Sequence, residues 1–280
     1  MLKTKNCLAL GLVLLLVLGI LAGCGGPSEP VDLDEEENGV EENGGEELVL
    51  LEEGVLKAAF NADFPPFEMR DENDVLCGFD YDLMNELGKI MGYEVHFDDV
   101  PFDGIFAGLG TAYDVVISGV TINDERLLTM DFSDPYFDAG QVIVVRKGYD
   151  GIAGEEDLPG KKLGVQIGTT GQDVLTDMEE IADDDILVYD NYPLAFIDLV
   201  NGGSDAVVCD VPVAKTEAKR NDKVELVSEE PFTVEFYGIA VAKGNSKMVE
   251  ELNAALAQVK EAGIYDELLV KWFVEYEGEE

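Results

Sequence analysis

One arginine, one aspartate and a threonine-bearing turn carry the strongest chemical signal in this sequence. Arg126 ends the run Ser118-Gly119-Val120-Thr121-Ile122-Asn123-Asp124-Glu125-Arg126, which follows the apolar segment Val115 to Ile117. Its planar fork of donors suits a carboxylate held by two hydrogen bonds, while Asp124 and Glu125 beside it offer a simpler, solvated ion pair. Gly168-Thr169-Thr170-Gly171 lies between an expected strand and a helix expected from Gln172, so its backbone N–H groups sit where a helix N-terminus favours anions. Thr169 or Thr170 would equally serve as the cap of that helix. Asp210 follows the apolar run Ala206-Val207-Val208-Cys209, at the carboxyl edge where open α/β sheets bind ligands. It offers a partner for a cation, or a cap for the helix beginning near Pro212. No nucleophile, acid/base pair or Cys/His metal spacing accompanies these residues, so no cofactor and no catalysis are expected.

The whole chain constrains the partners of such a site. Its 280 residues are 46% apolar, enough for one or two ordinary cores, and its 60 acidic and 18 basic residues give a formal charge of −42. Repulsion then excludes nucleic acid and anionic membrane as partners. Lys3 and Lys5, the apolar run Leu8 to Leu18 and Leu21-Ala22-Gly23-Cys24 have the three parts of an export signal covering residues 1–23. The apolar stretch is too short to span a bilayer, which takes roughly 20 residues. The tetrapeptide resembles the lipobox of prokaryotic lipoproteins, which implies acylation of Cys24 and anchoring at the outer face of the cytoplasmic membrane. Residues 24–47 are acidic and Gly-rich without aromatic or basic residues, and are expected to be an extended tether. Cys77 and Cys209 are expected to be free thiols, and His96 a strand surface residue.

The elements that must position the candidate residues repeat a pattern. Strands are expected at Val55 to Phe60, Val95 to Phe97 and Val115 to Ile117, with a helix through Leu83, Met84, Leu87, Ile90 and Met91 and a short one at Ile105, Phe106 and Leu109. The sequence then runs strand Leu163 to Gln166, helix Gln172 to Glu180, strand Ile186 to Tyr189, helix Leu194 to Val200, strand Ala206 to Cys209. A strand at Ile239 to Ala242 and helices at Ser246 to Ala262 and Tyr265 to Phe273 finish it. Two βαβαβ units predict an α/β protein with two mostly parallel sheets.

Four motifs then combine: Asn61-Ala62-Asp63-Phe64-Pro65-Pro66-Phe67-Glu68, Gly78-Phe79-Asp80-Tyr81-Asp82-Leu83, the Ser118 to Arg126 run, and Asp131-Phe132-Ser133-Asp134-Pro135-Tyr136. In order and spacing they resemble the amino-acid-binding family of ABC-transporter solute-binding proteins, from about Leu48 to Phe273. The resemblance implies a two-lobed, type II periplasmic-binding-protein fold joined by two crossing strands, near Tyr136 to Gly140 and Glu235 to Gly238. Lobe one would hold residues 48–138 plus 237–280 and lobe two residues 139–236. It implies a monomeric receptor that takes a free L-amino acid to an ABC permease and its ATPase, touching the membrane only through its lipid. Arg126 and Thr121 would then hold the ligand carboxylate, with Thr169 and Thr170 from the second lobe, and Asp210 with the Gly119 carbonyl the ammonium. Phe64 and Phe102 would flank the side chain. Asn61 and Gln166 are neutral amides at ligand-dependent positions, which favours glutamine or another neutral polar amino acid, although Asp63 and Glu235 lie close enough in sequence to intervene. An amino-acid sensor, or a cyclohexadienyl-type dehydratase with Glu68 as its acid, are the alternatives on this fold.

Overall fold

The computed structural model describes residues 48–276. The export signal, Cys24 and the tether lie outside the described residues, as do the last four.

Two five-stranded sheets repeat one design. In the first, Glu94–Asp99, Val55–Phe60 and Val115–Val116 run parallel, and Ala240–Ala242 and Met130–Phe132 complete it, the former antiparallel to both neighbours. In the second, Ile186–Tyr189, Leu163–Gln166 and Ala206–Asp210 run parallel, followed by Gln141–Arg146, antiparallel to Ala206–Asp210 and to Val224–Leu226. The chain passes between the sheets on two strands, Phe137–Ala139 and Glu235–Tyr237, which pair antiparallel with Glu235 opposite Ala139.

Alternation sorts the side chains of each sheet onto two faces. Along Ala206–Asp210, Ala206 and Val208 join Leu163, Val165 and Leu175 in one cluster, while Val207 and Cys209 join Tyr192, Phe196 and Leu199 in another. In the first sheet Leu56 and Ala58 pack under the helix Phe79–Met91, whose Leu83, Met84 and Leu87 meet Leu252, Leu256 and Val259 of the helix Ser246–Glu261. Gly92, left-handed at φ 82°, ends the first of these helices, as its glycine predicts. Gly78 in front of it admits no other residue: a Cβ there would stand 2.1 Å from the Phe67 carbonyl oxygen.

Some local boundaries differ from expectation for physical reasons. The helix expected from Gln172 runs Thr170–Asp177, because the Thr169 hydroxyl accepts the Gln172 N–H and caps it two residues earlier. The closing helix is Ile264–Leu269 and continues as a π-helical turn, Val270–Glu275. A three-stranded sheet of Asp63–Phe64, Glu68–Arg70 and Leu76–Cys77 has no counterpart in the sequence pattern, since strands of two or three residues carry no period. Cys77 lies in this small sheet and Cys209, a buried free thiol, in the second large one. His96 stands on an edge strand with 61% of its side chain exposed, near Asp98. No helix among the described residues is long and apolar enough to cross a membrane.

Candidate functional site

The carboxyl ends of the parallel strands of both sheets face one cleft. Asn61 follows Val55–Phe60, Ser118 to Thr121 follow Val115–Val116, Gln166 and Asp210 end their strands, and Thr169 and Thr170 open the helix after Gln166. They line, with Phe64, Phe102 and Arg126, one small cavity. Every residue singled out from the sequence as a candidate ligand contact lines it, together with Ser118, which the sequence reading passed over although it precedes Gly119 in the motif.

Arg126 is buried in the short helix Asp124–Thr129, whose N-terminus Asn123 caps by accepting the Arg126 N–H at 2.8 Å. Its Nη1 donates to the Thr121 carbonyl at 2.8 Å and its Nη2 crosses the cleft to the Gly168 carbonyl at 3.2 Å. Phe106 and Phe102 lie beside the guanidinium, 5.3 and 5.9 Å from it to their ring centres. Among the ion pairs of the described residues none joins Arg126 to Asp124 or Glu125, so the solvated-partner alternative is not what forms. Burial pulls its pKa down from the usual arginine value, and a guanidinium in these surroundings remains a cation. The result is a desolvated positive charge held by carbonyl oxygens, short of an anion.

Asp210 is its counterpart. It occupies the cap position of the helix Val211–Arg220 but makes no capping bond, and instead accepts the Gln141 side-chain N–H at 3.1 Å. Burial, reinforced by the negative charge of Glu235, pushes its pKa up to about 7. An incoming cation would restore the carboxylate.

Behind the cavity wall lies a second pair of acids. Asp80 accepts the Gly119 N–H at 2.9 Å and the Tyr136 hydroxyl at 2.8 Å, and burial raises its pKa to about 6. Glu68 accepts the Ser118 hydroxyl at 2.6 Å and is pushed well above the carboxylate range by burial and by Asp80. The Ser118 oxygen in turn accepts the Asn61 N–H at 3.1 Å. This network fixes two cavity-lining segments, and Glu68 itself is fully buried and does not line the cavity. A general acid for a bound molecule would have to stand in it. Gly119, at φ +51°, is needed where the Phe64 ring approaches: a Cβ there would lie 2.5 Å from the ring edge.

The two lobes also touch directly. Gln166 donates to Asn61 at 3.1 Å and Asn191 to Asp63 at 3.0 Å, while the Thr121 and Thr170 oxygens are 3.4 Å apart. Thr169 spends its oxygen on the helix cap, which resolves the ambiguity between the two threonines: Thr170 is the one whose hydroxyl enters the polar centre of the cleft. Two residues there were not assigned roles from the sequence. Gln141 bonds both Thr170 and Asp210, and Glu235, on the second crossing strand, accepts from Thr121 and Thr170. Among the described residues no cluster of His, Cys, Asp or Glu is placed to hold a metal ion.

The cleft of this two-lobed α/β protein thus holds a buried arginine on one side and a buried aspartate on the other. Residues 56–275 match the bacterial extracellular solute-binding proteins, family 3, and the chain belongs to that family. A probable histidine-binding protein of Neisseria gonorrhoeae is 40% identical over 229 residues, 80% of this chain and 85% of that one. Among solved structures, an ancestral arginine-binding protein bound to arginine is 46% identical with a TM-score of 0.73, covering 79% of this chain and 98% of that one. The structure of an ancestral arginine-binding protein bound to glutamine is 45% identical with a TM-score of 0.72, over 79% and 98%.

Proposed function

We propose that this chain is the extracytoplasmic receptor of an ABC importer, anchored through a lipid on Cys24. It closes on one free amino acid and delivers it to the permease and its ATPase. The observation that carries the reading is one small cavity holding Arg126 on the first lobe and Asp210 on the second. A zwitterion supplies both missing charges at once, and each becomes a charge-assisted hydrogen bond away from water. The carboxylate lies on Arg126 and the backbone N–H groups of Thr121 and Thr170, the ammonium on Asp210 and the Gly119 carbonyl. Because the two anchors belong to different lobes, ligand binding favours the closed form, the form a permease can distinguish from the empty one.

The side chain runs between Phe64 and Phe102 toward the Asn61 and Gln166 amides, which favours a neutral polar ligand, with glutamine first. A second reading, a basic amino acid, is favoured by Glu235: with it, two buried acids face a single buried cation, and a ligand of net positive charge balances the cleft. The binding-protein names of the relatives, and a Glu68 outside the cavity, support a receptor over a dehydratase.

The site carries a pH signature. The empty protein holds Asp210 protonated below about pH 7, whereas an ammonium requires its carboxylate, so binding releases a proton at acidic pH. Affinity should therefore fall roughly tenfold per unit as pH drops below 7 and be level from 7 to 8. Titration calorimetry at pH 5, 6, 7 and 8 checks this, and a level profile throughout contradicts the placement of the ammonium on Asp210.

A further inference from the structure

Glu235 is a buried carboxylate without an ion-pair partner among the described residues, placed on the crossing strand Glu235–Tyr237 where it touches both lobes. Its Oε2 accepts the Thr121 hydroxyl at 2.8 Å and the Thr170 hydroxyl at 2.7 Å, and its Oε1 accepts the Thr233 hydroxyl at 2.8 Å. Thr121 belongs to the loop after Val115–Val116 and Thr170 to the first turn of Thr170–Asp177, so one oxygen gathers a donor from each side of the cleft.

A hydroxyl has one proton, and a carboxylate only accepts. Once both protons point at Glu235, the threonine oxygens can turn only lone pairs toward the cavity. They then attract a ligand N–H and repel a carboxylate. This reverses the role the sequence suggested for the Thr121 hydroxyl, as a donor to the ligand carboxylate. Gln141 fits the same orientation: its Nε2 donates to the Thr170 oxygen at 3.3 Å and to Asp210 at 3.1 Å, which ties that acceptor to the anion of the site.

We propose that Glu235 is the positioning residue that makes the receptor demand an α-ammonium group: it takes the hydroxyl protons of Thr121 and Thr170 and so turns both threonines into acceptors for the ligand. Arg126 selects a carboxylate, and Glu235, acting through the threonines, selects against molecules that offer a carboxylate alone. The inference rests on the functional reading above, in which the cleft holds a free amino acid.

The test uses the whole chain and two ligands that differ by one group: each amino acid that stabilises the wild type, and the same molecule lacking its α-amino group. Glu235→Leu removes both acceptor oxygens, so the Thr121 and Thr170 hydroxyl protons are no longer drawn away and are free to turn to the cleft. The wild type should prefer the amino acid strongly. In the variant that preference should fall by about tenfold to a hundredfold, the range of one or two hydrogen bonds to a charged group. The loss should come from the amino acid and not from its desamino analogue. Thr170→Val, which deletes one acceptor and leaves Glu235 in place, should reduce the preference in the same sense and decides the matter if Glu235→Leu does not melt cooperatively. Equal weakening of both ligands, or an unchanged preference, overturns the proposal. A wild type that no amino acid stabilises would instead defeat the functional reading itself.

Discussion

Replacing Arg126 by methionine lowers the affinity for the preferred amino acid by about 10²- to 10³-fold, the cost of roughly 3–4 kcal/mol expected when one partner of a buried charge pair is removed. The ligand carboxylate would enter a cavity whose remaining donors are backbone N–H groups and neutral amides. Protein stability should move much less. Arg126 is held by two carbonyl oxygens and no acid, so the desolvation it suffers in the empty cleft offsets most of what those bonds contribute. Calorimetric titration gives the first quantity and thermal melting of the unliganded variant the second. A variant that binds within threefold of wild type would remove Arg126 from the site.

Asp210→Asn produces the second large effect, and in two opposite directions. Binding falls by about 10²-fold or more, because the ligand ammonium loses its only ionised partner on the second lobe. The empty protein becomes more stable at pH 8. The sign follows from the raised pKa: folding holds the acid protonated up to about 7, so keeping Asp210 ionised costs nothing below its unfolded value near 4 and the full amount above 7. The rise from near 4 to about 7 sets an upper limit near 4 kcal/mol, of which relaxation and water entry leave about half. Asparagine keeps the acceptor for Gln141 and removes the charge. The variant should melt several degrees above wild type at pH 8, at about 2–4 °C per kcal/mol, and lose that advantage near pH 4. Equal melting at pH 8 would show that Asp210 is not strained in the empty cleft.

These residues were legible in the sequence because their signals are local. Asp210 directly follows a run of four apolar residues, Thr170 opens a helix behind a glycine, and Arg126 sits five residues beyond Thr121, so each motif carries its own strand end with it. Three motifs at three strand ends must converge once the strands are parallel. Glu235 was noticed only as near enough to intervene, and its role was hidden for the opposite reason. It lies 114 residues from Thr121 and 65 from Thr170, and nothing in the Glu235 to Gly238 stretch marks which way a crossing strand turns its side chains. The inward face of Glu68 was equally invisible: an acid after Pro65-Pro66-Phe67 reads as a candidate general acid until burial and the Ser118 bond place it behind the cavity wall. Periodicity gave the parallel strands of the large sheets, Ala240–Ala242 and the long helices to within a few residues, but not the sheet strands Met130–Phe132, Gln141–Arg146 and Val224–Leu226. It could not give the small sheet around Phe64, nor the two-residue advance of the helix after Thr169, where one side-chain hydrogen bond decided the start.

Thermal melting of the whole chain, freed of bound ligand by unfolding and refolding, with each of the twenty amino acids in turn, tests the central claim most directly. At a hundred times the dissociation constant, a ligand specific to the folded form stabilises it by about 2.7 kcal/mol, or roughly 5–11 °C for a protein of this size. The account predicts such a shift with glutamine or another polar amino acid, and none with the same molecule in the Arg126→Met variant. A shift confined to arginine, lysine or histidine would keep the receptor and make Glu235 the balance for a basic ligand. No shift with any of the twenty would contradict the account.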